Sequence, residues 1–232
     1  MILHSIIDLI ALLAGLYTNF YVRRYFNLKQ PLSVPEKHIY SYFLFLIIGL
    51  VGGSILFGTL NIRLAGMEGF AKSLLGGIAG AIFMAEIFKK WYGITGSTGF
   101  YFIPSLCVVI IIGRIGCYFA GLADFTYGIE TTLAWGVDFG DQIKRHPVQL
   151  YESFSMLLFL VLFIVASYKN YRSFLIKYGF YLFVIYYAGQ RFLWEFLKPY
   201  PTLIGSLNIF HLLALVLIFY ALIMLRKTTH DA

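Results

Sequence analysis

Charged residues are scarce in this sequence. Asp, Glu, Lys and Arg together make up 12% of its 232 residues, whereas hydrophobic residues make up 60% and the mean hydropathy is +0.80. Soluble proteins are typically about 25% charged, because their surfaces must be solvated. The shortage of charge therefore excludes an ordinary soluble globular domain.

Cysteine is also rare. Only Cys107 and Cys117 occur, and both lie within one long apolar run. Two cysteines placed in this way do not form the framework of a disulfide-rich or zinc-binding protein. Cys117 is either a nucleophile or, as is commoner for a cysteine in an apolar helix, inert packing. We predict no metal site and no cofactor.

Long apolar runs are what the sequence has instead. A helix that crosses a bilayer needs about 20 mostly apolar residues, and seven stretches approach or exceed this length. Their residues do not alternate between polar and apolar, as the strands of a membrane β-barrel would. The whole chain (1–232) is predicted to form a single transmembrane domain, an all-α bundle of about seven helices at 3–21, 40–60, 73–88, 100–120, 148–166, 175–197 and 204–225.

The basic residues are divided unequally between the two ends of these helices. Basic residues concentrate on the cytoplasmic side of membrane proteins, so we expect the N-terminus outside and the C-terminus in the cytoplasm. This distribution explains the net charge of +7 without nucleic acid as a partner. The eleven residues predicted to be cytoplasmic are Arg23, Arg24, Lys29, Lys37, Lys89, Lys90, Lys169, Arg172, Lys177, Arg226 and Lys227, and the five outside are Arg63, Lys72, Lys144, Arg145 and Lys198.

Several other charged residues lie inside the predicted helices, where each costs about 2.5–3.5 kcal/mol to insert. Helices 4 and 6 run outward, which places Arg114, Arg191 and Glu195 in the outer part of the membrane, at about the depth of Glu152 in helix 5. Arg191 and Glu195 can pair along one helix face, but Arg114 needs Glu152, Glu195 or an anionic ligand. Two arginines, two glutamates and a histidine, His146, around one outer cavity indicate recognition of a phosphate headgroup.

Two further features have simple structural interpretations. Glu86 lies near the cytoplasmic end of helix 3, where it can pair with Lys90 one turn later. Small residues recur four apart in Gly49-Leu-Val-Gly-Gly53 and in Gly76-Gly77-Ile-Ala-Gly80, a spacing that favours close packing of helices 2 and 3. In the functional alternative, exposed N–H groups of these glycines would meet a phosphate.

The connection at about 121–146 is much longer than the others and lies on the predicted outer side. Connections of this length are often functional loops. His146 at its end is followed closely by Tyr151 and Glu152 at the membrane boundary. It is therefore either a solvated loop histidine or a group that transfers protons or binds a ligand.

Three segments stand out as motifs: Gly113-Arg114-Ile115-Gly116 in helix 4, Arg145-His146-Pro147-Val148-Gln149-Leu150-Tyr151-Glu152 at the start of helix 5, and Arg191-Phe192-Leu193-Trp194-Glu195-Phe196 in helix 6. They resemble motifs of the bacterial prolipoprotein diacylglyceryl transferase family, in the order in which that family carries them. The helix 5 segment is the most specific, and the Gly52-Gly53 and Gly76-Gly77 pairs are weaker matches. The resemblance extends over most of the chain.

The resemblance implies an enzyme of the bacterial cytoplasmic membrane whose site faces the extracytoplasmic side. Such enzymes transfer a diacylglyceryl group from phosphatidylglycerol to the thiol of a lipobox cysteine in a precursor protein, without metal or cofactor. We expect Arg114 and Arg191 to bind the phosphate, Glu152 and Glu195 to orient them, and His146 to act as an acid or base. Further substrate contacts are expected from Gly113, Gly116, Cys117, Gln149, Tyr151, Gly76, Gly77 and Gly128.

The sequence also departs from the family pattern at several positions. Cys117 stands where the family usually has Asn, Leu75 where it has His, and Ser54 where it has Arg. These differences describe a divergent member, and they leave open a non-catalytic lipid-binding or lipoprotein-handling membrane protein of the same fold. A small transporter fits less well, because the sequence contains neither an inverted repeat nor paired broken helices.

Overall fold

Seven α-helices make up most of the computed structural model, which describes residues 2–26, 34–169 and 171–230. The predicted cytoplasmic residue Lys29 lies outside these residues. Short 3₁₀ turns precede α2 and α4 and also follow α4. The helices are α1 (Ile2–Tyr25), α2 (Ile39–Leu64), α3 (Leu74–Tyr92), α4 (Ile103–Ala120), α5 (Val148–Tyr168), α6 (Arg172–Glu195) and α7 (Ile209–His230).

Five helical segments among the described residues are long and apolar enough to cross a membrane: Ser5–Tyr25, Glu36–Leu64, Gly99–Asp124, Val148–Tyr168 and Ile209–Thr229. The segments α3 and α6 are not among them, and each carries several charged residues, including Glu86 and Lys89 in α3 and Arg191 and Glu195 in α6. An all-α protein with membrane-length helices is thereby confirmed.

The beginning of α7 differs from the prediction. The helix starts at Ile209, not at residue 204, because the preceding residues form a hairpin of β3 (Thr202–Ile204) and β4 (Leu207–Asn208). Gly205 in the turn has a φ of 57°, a left-handed conformation that glycine adopts without strain. The hairpin residues Ile204 and Leu207 are as apolar as those of a membrane helix, which explains why the sequence predicts an earlier start.

The predicted close packing of α2 against α3 is confirmed. A Cβ atom on Gly53 would lie 2.3 Å from the carbonyl oxygen of Gly76, and one on Gly49 would lie 2.3 Å from that of Gly80. Such distances are too short for any side chain, so the glycines allow the two backbones to touch. At the end of the bundle that was predicted to be extracytoplasmic, called the outer end below, Ser73 caps α3 by accepting a hydrogen bond from the amide of Gly76 at 3.1 Å.

The other helices pack in pairs around one apolar core. The helix α1 packs on α4, and contacts then run from α4 to α5, to α6 and to α7. Large side chains such as Tyr187 and Phe183 of α6 are fully buried, whereas the outward faces of α1 and α5 expose Leu13, Leu16 and Phe154. Broad apolar faces that are exposed in this way are expected where lipid surrounds the protein.

The long connection before α5 is folded onto the end of α6. It contains a hairpin of β1 (Val137–Asp138) and β2 (Lys144–Arg145). The amide of Ile129 donates to the carbonyl of Leu197 at 2.7 Å, and the hydroxyl of Tyr200 donates to the carbonyl of Phe125 at 2.9 Å. These contacts hold the connection over the outer ends of the helices.

The inner end of α3 corrects one predicted ion pair. Glu86 pairs with Lys89 at 2.7 Å, not with Lys90, and also accepts a hydrogen bond from the hydroxyl of Tyr220 in α7 at 2.7 Å. Lys89 is buried and faces the bundle, whereas Lys90 is exposed on the other face of the helix. Glu86 therefore pairs with the lysine three residues later, because Lys89 lies on the same side of α3 as Glu86 and Lys90 does not.

Candidate functional site

The outer ends of α4, α5 and α6 bring five charged side chains together. Arg114 comes from the last two turns of α4, Glu152 from the second turn of α5, and Arg191 and Glu195 from the end of α6. Lys198 follows three residues after Glu195 and points back to the same place. All five side chains are buried.

Glu152 is the centre of this cluster, and its side chain is completely buried. Its Oε2 lies 2.5 Å from Nε of Arg114, and its Oε1 lies 2.6 Å from Nζ of Lys198. Arg191 contacts the same Oε1 through Nη1. The partner that Arg114 was predicted to need on another helix is therefore Glu152.

Glu195 completes the cluster and connects it to α7. Its Oε1 accepts a hydrogen bond from Arg191, as the four-residue spacing predicts, and another from Lys198 at 3.3 Å. Its Oε2 accepts from Nδ2 of Asn208 at 3.4 Å, while Oδ1 of Asn208 accepts from the amides of Phe210 and His211 at the start of α7. One ion network thus joins four helices.

The charges of the cluster do not balance. Three cationic side chains, Arg114, Arg191 and Lys198, surround only two carboxylates. Each of the three cations contacts a carboxylate, so the excess of positive charge is shared by the whole cluster. A local excess of this kind favours the binding of an anion beside it. The sequence identifies Lys198 only as a basic residue of an outer connection, because its spacing of three residues from Glu195 indicates a pair only where the helical turn continues beyond the end of α6.

An outer cavity of about 240 Å³ opens beside the cluster. Arg114, Arg191 and Lys198 all line it, so the two arginines do share one space. Its other walls come from the end of α2 and from the α2–α3 and α4–α5 connections, which contribute the polar residues Asn61, Lys72, Asp124 and Thr126. A polar cavity with three cations is suited to hold a phosphate group.

His146 is not among the residues that line this cavity. Its Nδ1 lies 3.3 Å from the hydroxyl of Tyr151, which accepts a hydrogen bond from Nε1 of Trp135 at 2.8 Å. The ring of Tyr151 also contacts Trp194 of α6. His146 and Tyr151 thus belong to an aromatic group at the bundle surface, and an acid–base role for His146 stays a prediction.

Other predicted substrate-binding residues lie close to Arg114. Gly113 and Gly116 flank it in α4, and Sγ of Cys117 lies 3.9 Å from its Nη1. Gln149, one turn before Glu152, is completely buried, and neither polar atom of its amide has a hydrogen-bond partner among the described residues. Buried amides nearly always have partners, but Gln149 does not line the outer cavity, and its contact with a substrate stays a prediction.

The remaining glycines have packing roles in the structure. Gly76 and Gly77 lie in the α2–α3 contact, with their amides bonded to Ser73, and they do not line the outer cavity. Gly128 donates to the carbonyl of His146 at 3.0 Å, and a Cβ there would lie 2.5 Å from that oxygen. These positions need glycine because two backbones approach each other.

Two of the positions that depart from the family pattern are also structural here. Leu75 is fully buried in the apolar core. Ser54 accepts a hydrogen bond from the amide of Ser73 through its Oγ at 3.2 Å, which ties α2 to the cap of α3.

In the described part of the chain, no group of three or more His, Cys, Asp or Glu side chains could hold a metal ion.

Comparison with known proteins agrees with these motifs. The family described as prolipoprotein diacylglyceryl transferase matches residues 5–226. The chain is 27% identical to the phosphatidylglycerol–prolipoprotein diacylglyceryl transferase of Campylobacter jejuni subsp. doylei, over 82% of this chain and 74% of that one. It is 29% identical to the protein of that name in Ehrlichia ruminantium, over 82% and 77%. No solved structure matches. The chain therefore belongs to the prolipoprotein diacylglyceryl transferase family.

Proposed function

We propose that this protein transfers a diacylglyceryl group from phosphatidylglycerol to the thiol of a lipobox cysteine in a lipoprotein precursor. The observation that carries the proposal is the shared outer cavity, in which Arg114 and Arg191 meet within a buried cluster that has one excess positive charge. The phosphodiester of phosphatidylglycerol carries one negative charge, which is opposite in sign to the excess charge of these five side chains. The names of the relatives describe the same reaction.

The chemistry follows from where charge develops. The precursor's sulfur forms a bond to the glyceryl carbon, the bond from that carbon to the phosphate oxygen breaks, and glycerol phosphate leaves with the electron pair. The thiol proton passes to a base. Arg114 and Arg191 would bind the phosphate and stabilise its growing negative charge, a contribution that is large in a dry, preorganised site. Glu152 and Glu195 hold both guanidinium groups in position.

The proposed setting is the bacterial cytoplasmic membrane. All seven helices would cross it as a single domain, with the N-terminus outside and the C-terminus in the cytoplasm. Support comes from the excess of basic residues at the ends opposite the outer cavity. The cavity would then face the extracytoplasmic side, where a secreted precursor presents its cysteine.

A direct test uses the purified protein, phosphatidylglycerol and a lipobox peptide. We expect the peptide to gain the mass of one diacylglyceryl group, and a peptide with serine in place of the cysteine to gain none. The protein should also restore growth to a strain that lacks its own transferase. No mass gain together with no rescue would reject the proposal.

The alternative is a non-catalytic lipid-binding protein, and Leu75 is the observation that favours it. An apolar residue, buried in the core, occupies the position where the family usually has histidine. This alternative predicts that phosphatidylglycerol binds, and that Arg114→Ala weakens binding, while no thiol is ever modified. The same peptide assay separates the two functions.

A further inference from the structure

An apolar groove of about 540 Å³ lies deeper in the bundle, between α2, α3 and α7. Its lining residues fall at 48–57 of α2, 79–86 of α3 and 213–220 of α7. Almost all of them are apolar or glycine. Several residues on its rim, including Phe83 and Val216, are exposed, so the groove opens sideways out of the bundle.

The groove begins where the outer cavity ends. Phe57 and Leu213 line the groove, whereas Gly58 and Phe210, one residue and one turn further out on the same helices, line the cavity. With a rise of about 1.5 Å per residue, the groove starts about 6–10 Å below the outer ends of all three helices. The two spaces share no lining residue, but they come within about one helical turn of each other on α2 and α7, a distance that a bound lipid would span.

The length of the groove matches one lipid chain. The stretch 48–57 covers about 13 Å along α2, close to the roughly 15 Å of hydrocarbon in one bilayer leaflet. At its inner end lie Glu86 and Tyr220, which are hydrogen-bonded to each other at 2.7 Å. This polar pair forms a floor that an apolar chain would not pass.

We propose that this groove holds one acyl chain of the phospholipid whose phosphate binds in the outer cavity, and that its depth selects the chain length. The inference rests on the proposed function in assigning the phosphate to that cavity. An acyl chain gains little free energy by leaving lipid for an equally apolar groove. The groove acts instead by orienting the glyceryl carbon for attack, an effect that appears in the transfer rate.

Gly52 offers a way to fill the groove without disturbing the helices. A Cβ atom at Gly52 would meet nothing within 4 Å, whereas one at the neighbouring Gly53 would collide with the backbone of α3. Gly52→Phe should therefore fold and obstruct the groove. Val51→Phe is the matched control, because Val51 is exposed on the same helix and does not line the groove.

The first test is photo-crosslinking of the full-length protein with phosphatidylglycerol that carries a diazirine at the end of one palmitoyl chain. We expect labelled peptides from 48–57, 79–86 and 213–220, a loss of at least tenfold with Gly52→Phe, and no change with Val51→Phe. Labelling spread over the outward faces of α1 and α5, or equal labelling of both variants, would overturn the proposal. Val216→Trp obstructs the groove from α7 and provides a second variant, with Leu215→Trp as its control.

The second test compares transfer from palmitoyl and octanoyl phosphatidylglycerol. Gly52→Phe should lower the ratio of the palmitoyl to the octanoyl rate at least tenfold, whereas Val51→Phe should leave it unchanged. Equal losses with both lipids, or an unaltered ratio, would count against the groove. If the wild-type protein transfers neither lipid, the proposed function fails, and the crosslinking result alone then decides whether the groove binds the chain.

Discussion

The two ends of the bundle arrange their charged side chains in different ways. At the inner end, Glu86 and Lys89 belong to one helix, balance each other and need only Tyr220 as a further partner. At the outer end, five charged groups from α4, α5 and the end of α6 meet, and one positive charge is left over beside a cavity. A local, neutral pair is sufficient for structure. A network that spans several helices and concentrates positive charge beside a cavity is suited to bind an anionic ligand.

The largest effect is expected from removing the centre of the outer cluster. Glu152→Gln leaves three buried cations with only Glu195, and breaking a buried pair in this way typically costs about 3–5 kcal/mol. Thermal unfolding in detergent should show a strongly lowered midpoint, and transfer should be lost. Glu130→Gln, on the exposed connection, is the control and should unfold like the wild type. An unchanged midpoint for Glu152→Gln would mean that the network does not hold the helices together.

The next largest effect is expected from replacing the planar guanidinium group of Arg114 while its positive charge is retained. Lysine carries the same charge but cannot contact both Glu152 and a phosphate with a planar group. Arg114→Lys should therefore lower the transfer rate about 100-fold, the typical effect of losing one preorganised donor to a developing oxyanion. The unfolding midpoint should change little. A transfer rate within threefold of wild type would show that charge alone is enough at this position.

Removing the excess charge should have an intermediate effect. In Lys198→Met the cluster becomes neutral, while Glu152 and Glu195 keep their contacts with arginines. We expect phosphatidylglycerol to bind about tenfold more weakly, which corresponds to about 1.4 kcal/mol, and the protein to remain folded. Lys144→Met, an exposed lysine on the same side that does not line the cavity, should bind normally. Equal binding by both variants would contradict the charge argument.

The helices were predictable because length and apolarity in a membrane protein are properties of local sequence. That Arg114, Arg191, Glu152 and Glu195 lie at one end of the bundle followed from helix direction alone. The need of Arg114 for a partner on another helix followed from the lack of an acidic residue near it in α4. The predicted start of α7 at residue 204 was wrong, because the hairpin residues Ile204 and Leu207 are as apolar as those of a membrane helix.

Positions that depend on how the chain folds back were not predictable. Lys198 follows α6 in a connection, and only the turn after the helix carries its ammonium group into the cluster. His146 was grouped with Glu152 because the two are close in sequence, yet it lies with Tyr151 and Trp135 at the surface. The cavity itself depends on the α2–α3 connection, whose path the sequence does not reveal.

The smallest effect is expected from breaking the pair between Glu86 and Lys89 at the inner end of the bundle. In Lys89→Met the partly exposed Glu86 keeps its hydrogen bond from Tyr220 and remains in contact with solvent. Loss of a single pair of this kind usually changes stability by about 1 kcal/mol or less. The unfolding midpoint should therefore shift slightly, and phosphatidylglycerol binding and transfer should equal those of the wild type, because Lys89 lines neither the outer cavity nor the groove. A loss of transfer as large as that of Arg114→Lys would show that the two ends are coupled, and the inner pair would then have to be considered part of the functional site.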